Sequence, residues 1–173
     1  MRRPIVFCPL RPILFAALLG LAAGVAQAQA LPAGVRLGMT AQELQAALPG
    51  LERVQRPQRL AGGLAGLWRG APAPIAGLLF EPVFYLADGQ LRRMEWVAAA
   101  QVAPDLGAAA FAELVAWGRS RFGPELASSD PGSAYAAWTR DDIDVYAQHV
   151  HHARSASVRL VYKARQLRDA NEL

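Results

Sequence analysis

The sequence predicts an α+β protein in which two helices pack on one antiparallel sheet. Two segments, residues 40–48 and 104–123, carry the apolar spacing and the start and stop residues of helices. Short β-prone segments, separated by turn residues, lie between these helices and after the second one. Helices gathered on one face of an antiparallel sheet are a stable packing for such an element order.

The first predicted helix begins at Thr40. Thr40 and Glu43 have the spacing of a capping box, and Met39 and Leu44 have the spacing of a hydrophobic staple. A Pro-Gly pair at residues 49–50 ends the helix after about two turns. Because so short a helix is unstable alone, we expect it to pack on the sheet.

The second predicted helix follows a Pro-Asp pair at residues 104–105 and ends at a Gly-Pro pair at residues 123–124. Its apolar residues recur at the spacing of one helix face: Phe111, Leu114, Val115, Gly118 and Phe122.

Strands are predicted before and after a hairpin turn. Residues 51–59 and 67–69 are expected to form the first two strands. Residues 78–80 and 83–87 follow as β-prone segments, with Pro82 as an edge position or a bulge between them.

An Asp-Gly pair at residues 88–89 predicts a hairpin between residues 83–87 and 90–97. The turn fits either a two-residue type I′ loop or a three-residue loop with a glycine bulge, and the two registers differ by one residue. The side chains of the second hairpin strand are expected to alternate between two faces, with Arg92, Met94 and Trp96 on one and Leu91, Arg93 and Glu95 on the other.

After the second helix, residues 128–132 are predicted as a loop. Three strands are then expected at residues 135–140, 143–150 and 157–164, with turns at residues 141–142 and 153–155.

This order fits two tandem halves, residues 38–100 and 104–165, or one unrepeated sheet. Glu43 and Trp68 recur as Glu113 and Trp138, 70 residues further along the chain. An internal repeat of this kind would make each half a helix followed by strands.

Residues 1–30 are predicted to be a cleavable signal peptide. Residues 1–12 hold three arginines and no acid, residues 13–25 are apolar and uncharged, and residues 26–30 offer small side chains for cleavage. The apolar run is shorter than the roughly 20 residues that span a membrane.

Cleavage after Ala28 and cleavage after Ala30 both fit this segment. The general secretory route is favoured over the twin-arginine route, because the Arg2-Arg3 pair is the only feature that indicates the latter. We therefore expect residues 31–173 to form a single α+β domain in the periplasm.

The positive charge of the chain lies largely in the predicted signal peptide. The chain has 18 basic and 14 acidic residues, and three of the basic residues precede residue 13. The remainder is nearly neutral, which argues against a nucleic-acid partner. The only cysteine, Cys8, lies there too, so the mature chain has no disulfide and depends on an ordinary hydrophobic core.

The stretch GMTAQEL at residues 38–44, followed by LPG at residues 48–50, resembles the opening of the SmpA/OmlA outer-membrane assembly lipoproteins. The tandem helix-plus-strands order is similar to the β-lactamase inhibitor protein fold. Both groups are exported and bind other proteins through a sheet with packed helices, so the resemblance implies protein binding. No cysteine follows the predicted signal peptide, so a lipid anchor is not carried over.

His149 and His151 are candidate metal ligands, since alternate residues of a strand point to one face. Asp144 or Asp142 would supply a further ligand. The competing interpretation is a hairpin end with solvated histidines.

Trp117, Trp96 and Arg92 are candidate binding residues. Trp117 lies one step off the apolar face of the second helix, where a side chain is available for contact. The alternative is that the tryptophans belong to the core.

The predicted function is non-catalytic binding of a periplasmic or outer-membrane protein, by an open sheet face or an edge strand. No nucleophile, base and orienting group can be assembled from the spacing, and no cofactor is expected. A periplasmic hydrolase or metal-dependent enzyme and a small-ligand carrier are the alternatives, and the oligomeric state stays open.

Overall fold

The part of the computed structural model that is described covers residues 31–165 and contains two helices and nine strands. This confirms the predicted α+β class. Predictions for residues 1–30 and 166–173, among them the signal peptide, fall outside the described residues. The elements in chain order are α1 (Ala41–Ala47), β1 (Glu52–Arg53), β2 (Ala65–Arg69), β3 (Ala73–Ile75), β4 (Leu78–Ala87), β5 (Gln90–Ala99), α2 (Ala108–Phe122), β6 (Leu126–Asp130), β7 (Ser133–Arg140), β8 (Ile143–His152) and β9 (Ser155–Ala164).

The strands pair antiparallel in the order β1-β2-β4-β5-β9-β8-β7-β6, and β3 pairs with β4 alone. β5 is the last strand before residue 100, and β9 is the last strand of the described chain. These two strands pair with each other at the centre of the sheet. Each side of this central pair is a helix followed by an antiparallel run of strands. The duplication itself stays a prediction.

The capping box of α1 is confirmed. The Thr40 hydroxyl accepts from the Glu43 backbone N–H at 3.3 Å, and a Glu43 carboxylate oxygen accepts from the Thr40 backbone N–H at 2.8 Å. Met39 and Leu44 are both buried in the core cluster, which fixes this short helix against β5.

The hairpin joining β4 and β5 turns in two residues. Asp88 and Gly89 both have positive φ, 50° and 74°, which is the geometry of the type I′ alternative. A bulge follows, because Leu86 pairs with Leu91 but Tyr85 pairs with Arg93.

This bulge corrects the predicted faces of β5. Arg92 has no partner in the β4–β5 pairing, so Leu91 joins Leu86 in the core instead of sharing a face with Arg93. An extra residue in one strand reverses the alternation beyond it, and the turn signal alone does not reveal where that residue lies.

Two strand predictions are also corrected. Pro82 lies inside the continuous strand β4, and its carbonyl accepts from the Gly70 N–H at 3.0 Å. Its ring nitrogen therefore faces the side where β2 ends, so Pro82 has the predicted edge position and no bond to β5 is lost; what is corrected is the division of residues 78–87 into two segments. Residues 128–132 are not simply a loop, because β6 (Leu126–Asp130) pairs with β7; all five β6 residues are exposed, so no apolar alternation marks it.

α2 ends where predicted, but it begins at Ala108, three residues after the Pro-Asp pair at residues 104–105. The Asp105 carboxylate accepts from the N–H groups of Gly107 and Ala109 at 3.0 and 2.7 Å, and Gly123 ends the helix with φ 90°. The apolar face of α2 packs on β7, β8 and β9, on the same side of the sheet as α1. No helix within residues 31–165 combines the length and apolarity that crossing a membrane requires.

Candidate binding surface on the helix-free face of the sheet

One face of the sheet carries both helices, and the described residues place no helix on the other. Met94, Tyr162 and Val145 are paired neighbours on the helix side and belong to the core cluster. Their chain neighbours point the opposite way, because strand side chains alternate. We call that side the helix-free face; its central residues are Tyr85, Arg93, Glu95, Tyr135, Asp144, Tyr146, Gln148, Arg159, Val161 and Lys163.

A buried carboxylate lies at the centre of the helix-free face. The Glu95 side chain is 2% exposed, and its Oε1 lies 2.6 Å from Arg93 Nε. Its Oε2 lies 3.9 Å from Arg159 Nη1. Burial of a carboxylate is costly unless the group is paired, and the two guanidinium groups provide that pairing.

Two tyrosines hold Arg93 in place. Its Nη2 donates to the Tyr146 hydroxyl, while its Nε is bonded to Glu95. The guanidinium also lies 5.4 Å from the Tyr146 ring centroid and 6.0 Å from that of Tyr85, within cation–π range. Arg93 is therefore engaged on several sides by the protein itself.

Tyr85 borders this cluster on β4. Its hydroxyl donates to Gln58 Oε1 at 3.0 Å, and its ring lies so close to Gly66 that an added Cβ would be 3.0 Å from Cε1. Burial, with a smaller contribution from Glu95, raises the pKa of Tyr85 to about 12. The hydroxyl consequently stays a proton donor through the ordinary pH range.

The aromatic surface continues onto β7. The Tyr135 and Tyr146 rings lie 5.2 Å apart between centroids, and both side chains are half-buried. Burial raises the pKa of each, so both hydroxyls are neutral near pH 7. Two rings and a fixed guanidinium thus form one continuous patch.

Two cations stand at the β9 side of this patch. The Arg159 and Lys163 side chains are 38% and 44% exposed. Lys163 Nζ lies 3.5 Å from Asp144 Oδ2, and the Asp144 side chain is 26% exposed. This surface can therefore contact a partner through hydrogen bonds, aromatic rings and charged groups.

The predicted metal ligands are not brought together. His149 and His151 lie on the helix side with ring centroids 5.2 Å apart, whereas Asp144 lies on the helix-free face. His149 is buried, with Nε2 2.9 Å from the Leu106 carbonyl oxygen and its ring stacked on Phe111. Within residues 31–165, no group of three or more His, Cys, Asp or Glu side chains could hold a metal ion.

The predicted binding residues fall in three different places. Trp96 is buried on the helix side, so it belongs to the core. Trp117 is half-buried and packs edge-to-face on Phe122 at 5.4 Å. Arg92 is exposed at the bulge of β5.

The central cluster was missed because its members are spread over several strands. The sequence offers one sign of a charged sheet face. Glu95 lies in the middle of a predicted strand and follows Arg93 by two residues, so both side chains point to the same face. The tyrosines join this pair only through the order in which the strands pair, and local spacing in the sequence does not reveal that order.

The described residues also form surface depressions. One, of about 500 Å³, lies at the end of the β8–β9 hairpin beside His151, His152 and Arg154. Another of about 390 Å³ lies between α2 and the strands β6 and β7. On α2, the Ser120 hydroxyl donates to the Trp117 carbonyl oxygen at 2.7 Å.

Comparison of the chain with protein-family models, with curated proteins and with solved structures gives no significant match.

Proposed function

We propose that this protein is exported to the periplasm and binds another protein, without catalysis, through the helix-free face of its sheet. The observation that carries the proposal is the tyrosine–arginine cluster built around buried Glu95. Tyrosine and arginine are the residue types that dominate binding energy at protein interfaces.

The cluster is held ready for binding. Arg93 is bonded to Glu95 and Tyr146, and Tyr85 is bonded to Gln58. Side chains that are already ordered lose little conformational freedom when a partner arrives. That favours recognition by a preformed surface over closure around a small molecule.

The sequence supports the location and the partner class. Residues 1–30 have the order of a signal peptide, and the remainder is nearly neutral. The resemblance of residues 38–44 to SmpA/OmlA proteins, and of the element order to the β-lactamase inhibitor protein fold, agrees with a role in binding envelope proteins or enzymes.

Site-specific photo-crosslinking in the native cell tests this proposal. A photo-reactive phenylalanine analogue replaces Gln148 on the helix-free face or, as the matched control, exposed Ala116 on α2. We expect a discrete protein adduct in the periplasmic or envelope fraction from position 148 and none from position 116. Absence of an adduct at 148, or the same adducts from both positions, would show that this face does not bind a protein.

A further inference from the structure

We propose that the partner presents an acidic segment to the helix-free face, with carboxylates that meet Arg159 and Lys163. This inference rests on the proposed function and specifies the chemistry of the partner. It follows from the depth at which the charges of this face lie.

The acids of the face lie deeper than the cations. Glu95 is 2% exposed beneath Arg93 and Arg159, which are 17% and 38% exposed. Asp144 is 26% exposed beside Lys163, which is 44% exposed. These three cations and two carboxylates leave one formal positive charge, and an approaching partner meets the cationic groups first and the carboxylates only behind them. The surface is therefore complementary to negative charge.

The two outer cations also keep hydrogen-bonding capacity. The 3.9 Å separation between Arg159 Nη1 and Glu95 Oε2 is too long for a hydrogen bond. Within residues 31–165 the Arg159 guanidinium donates no hydrogen bond, although it carries five N–H groups. Lys163 approaches one acceptor, Asp144, and its ammonium has three N–H groups. Arg93, by contrast, is already occupied by Glu95 and Tyr146.

The spacing of the cations favours an extended peptide. Arg159 and Lys163 are four residues apart on β9 and point to the same face, which separates them by roughly 13 Å. Val161 between them is fully buried and offers no surface of its own to a partner. Carboxylates about four residues apart in an extended segment would reach both cations, and the Tyr135–Tyr146 pair beside them offers ring contacts.

Peptide titration tests the charge requirement. The protein is expressed from the full chain, recovered from the periplasm, and titrated with a twelve-residue peptide carrying glutamate at every fourth position. The same peptide with glutamine is the neutral probe. We expect the glutamate peptide to bind about tenfold more tightly at low salt, with the difference shrinking as salt screens the charges.

Matched variants locate the effect. Arg159→Gln with Lys163→Gln should reduce binding of the glutamate peptide to the level of the glutamine peptide. Arg159→Lys and Lys163→Arg should keep most of it. The control pair Arg121→Gln and Arg154→Gln removes the same charge from exposed positions off this cluster and should change binding less than about twofold. The single variant Lys163→Gln, at the more exposed position, serves if the double variant does not fold.

The outcomes separate this inference from the proposed function. If the Gln148 adduct persists undiminished in the Arg159→Gln/Lys163→Gln variant, or if both peptides bind equally, the acidic partner is ruled out while protein binding stands. If single-stranded DNA or anionic lipid vesicles compete as well as the glutamate peptide, the face recognises polyanions in general, and the acidic segment is likewise ruled out. If wild-type position 148 gives no adduct, protein binding itself fails.

Discussion

Two glycines determine where aromatic side chains lie on the two faces of the sheet. An added Cβ at Gly118 would be 2.2 Å from the Trp138 ring, and one at Gly66 would be 3.0 Å from the Tyr85 ring. Gly118 lets Trp138 lie against α2, where its Nε1 donates to the Gly123 carbonyl at 3.0 Å. Gly66 accommodates the ring that borders the Arg93 cluster. The absence of a Cβ atom at Gly118 and at Gly66 therefore allows the aromatic packing on each face.

Gly118→Ala should lower the free energy of unfolding by about 1–3 kcal/mol, because the methyl group would overlap the Trp138 ring. Alanine favours a helix over glycine by roughly 1 kcal/mol, so a loss would show that the steric conflict dominates. Urea unfolding monitored by tryptophan emission measures it.

Ala116→Gly is the matched control, since Ala116 is exposed on the same helix. It should cost about 1 kcal/mol by propensity alone and leave the tryptophan emission of the folded protein unchanged. Equal or greater stability of Gly118→Ala would contradict the packing described here.

Some helices and strands of this protein are marked by residues within their own segment, whereas others form only because a neighbouring strand pairs with them. The short helix α1 carries its own start signal, the capping box between Thr40 and Glu43. β6 and β3 carry no comparable signal, and each is held by one neighbouring strand. Helix α1 was accordingly predicted from residues 38–50, whereas β6 required the position of β7.

The capping box should make the stability of α1 depend on pH. Hydrogen bonds from the Thr40 backbone N–H and hydroxyl, with the nearby Arg36 guanidinium, hold the pKa of Glu43 below its usual value of 4.5. A lowered folded-state pKa means that the stabilisation is fully present above pH 4.5 and is lost as the pH falls through the folded-state value. Glu43→Gln should therefore lower the unfolding temperature at pH 7, and the difference from wild type should shrink below pH 4.5.

Thermal unfolding of both proteins across this pH range provides the measurement. Glu113→Gln on α2 is the control, because exposed Glu113 forms no hydrogen bond or ion pair within residues 31–165. Its effect should be small at every pH. A Glu43→Gln difference that grows on acidification would refute the assigned role of the carboxylate.

At the scale of the whole molecule, the β5–β9 pairing joins the two sides of the sheet. Seven residue pairs run along this seam, from Arg93–Lys163 to Ala99–Ser157. One core cluster reaches from Phe84 on one side to Trp138 on the other. A shared seam and a shared core leave neither side with a separate packed interior.

The protein should therefore unfold in one cooperative transition. Backbone circular dichroism and the fluorescence of Trp68 and Trp138, followed separately by replacing the other tryptophans with phenylalanine, should give coincident curves. Leu160→Ala, which opens a cavity at a fully buried residue of the seam, should lower the free energy of unfolding reported by every curve by about 2–5 kcal/mol. Separate transitions for the two reporters would mean that the sides unfold independently.

The sequence by itself determined the α+β class, both helices with all their ends except the start of α2, and the turns at residues 88–89 and 141–142. Caps, turn residues and apolar periodicity act over a few positions, so they can be recognised without knowledge of the rest of the chain. Only the tertiary structure decided the strand order, the bulge at Arg92, the edge strand β6 and the separation of Asp144 from His149. It alone gathered Tyr85, Glu95, Tyr146 and Arg159 from four strands onto one face, because contacts between residues far apart in the chain depend on which strands pair, and local spacing does not specify that pairing.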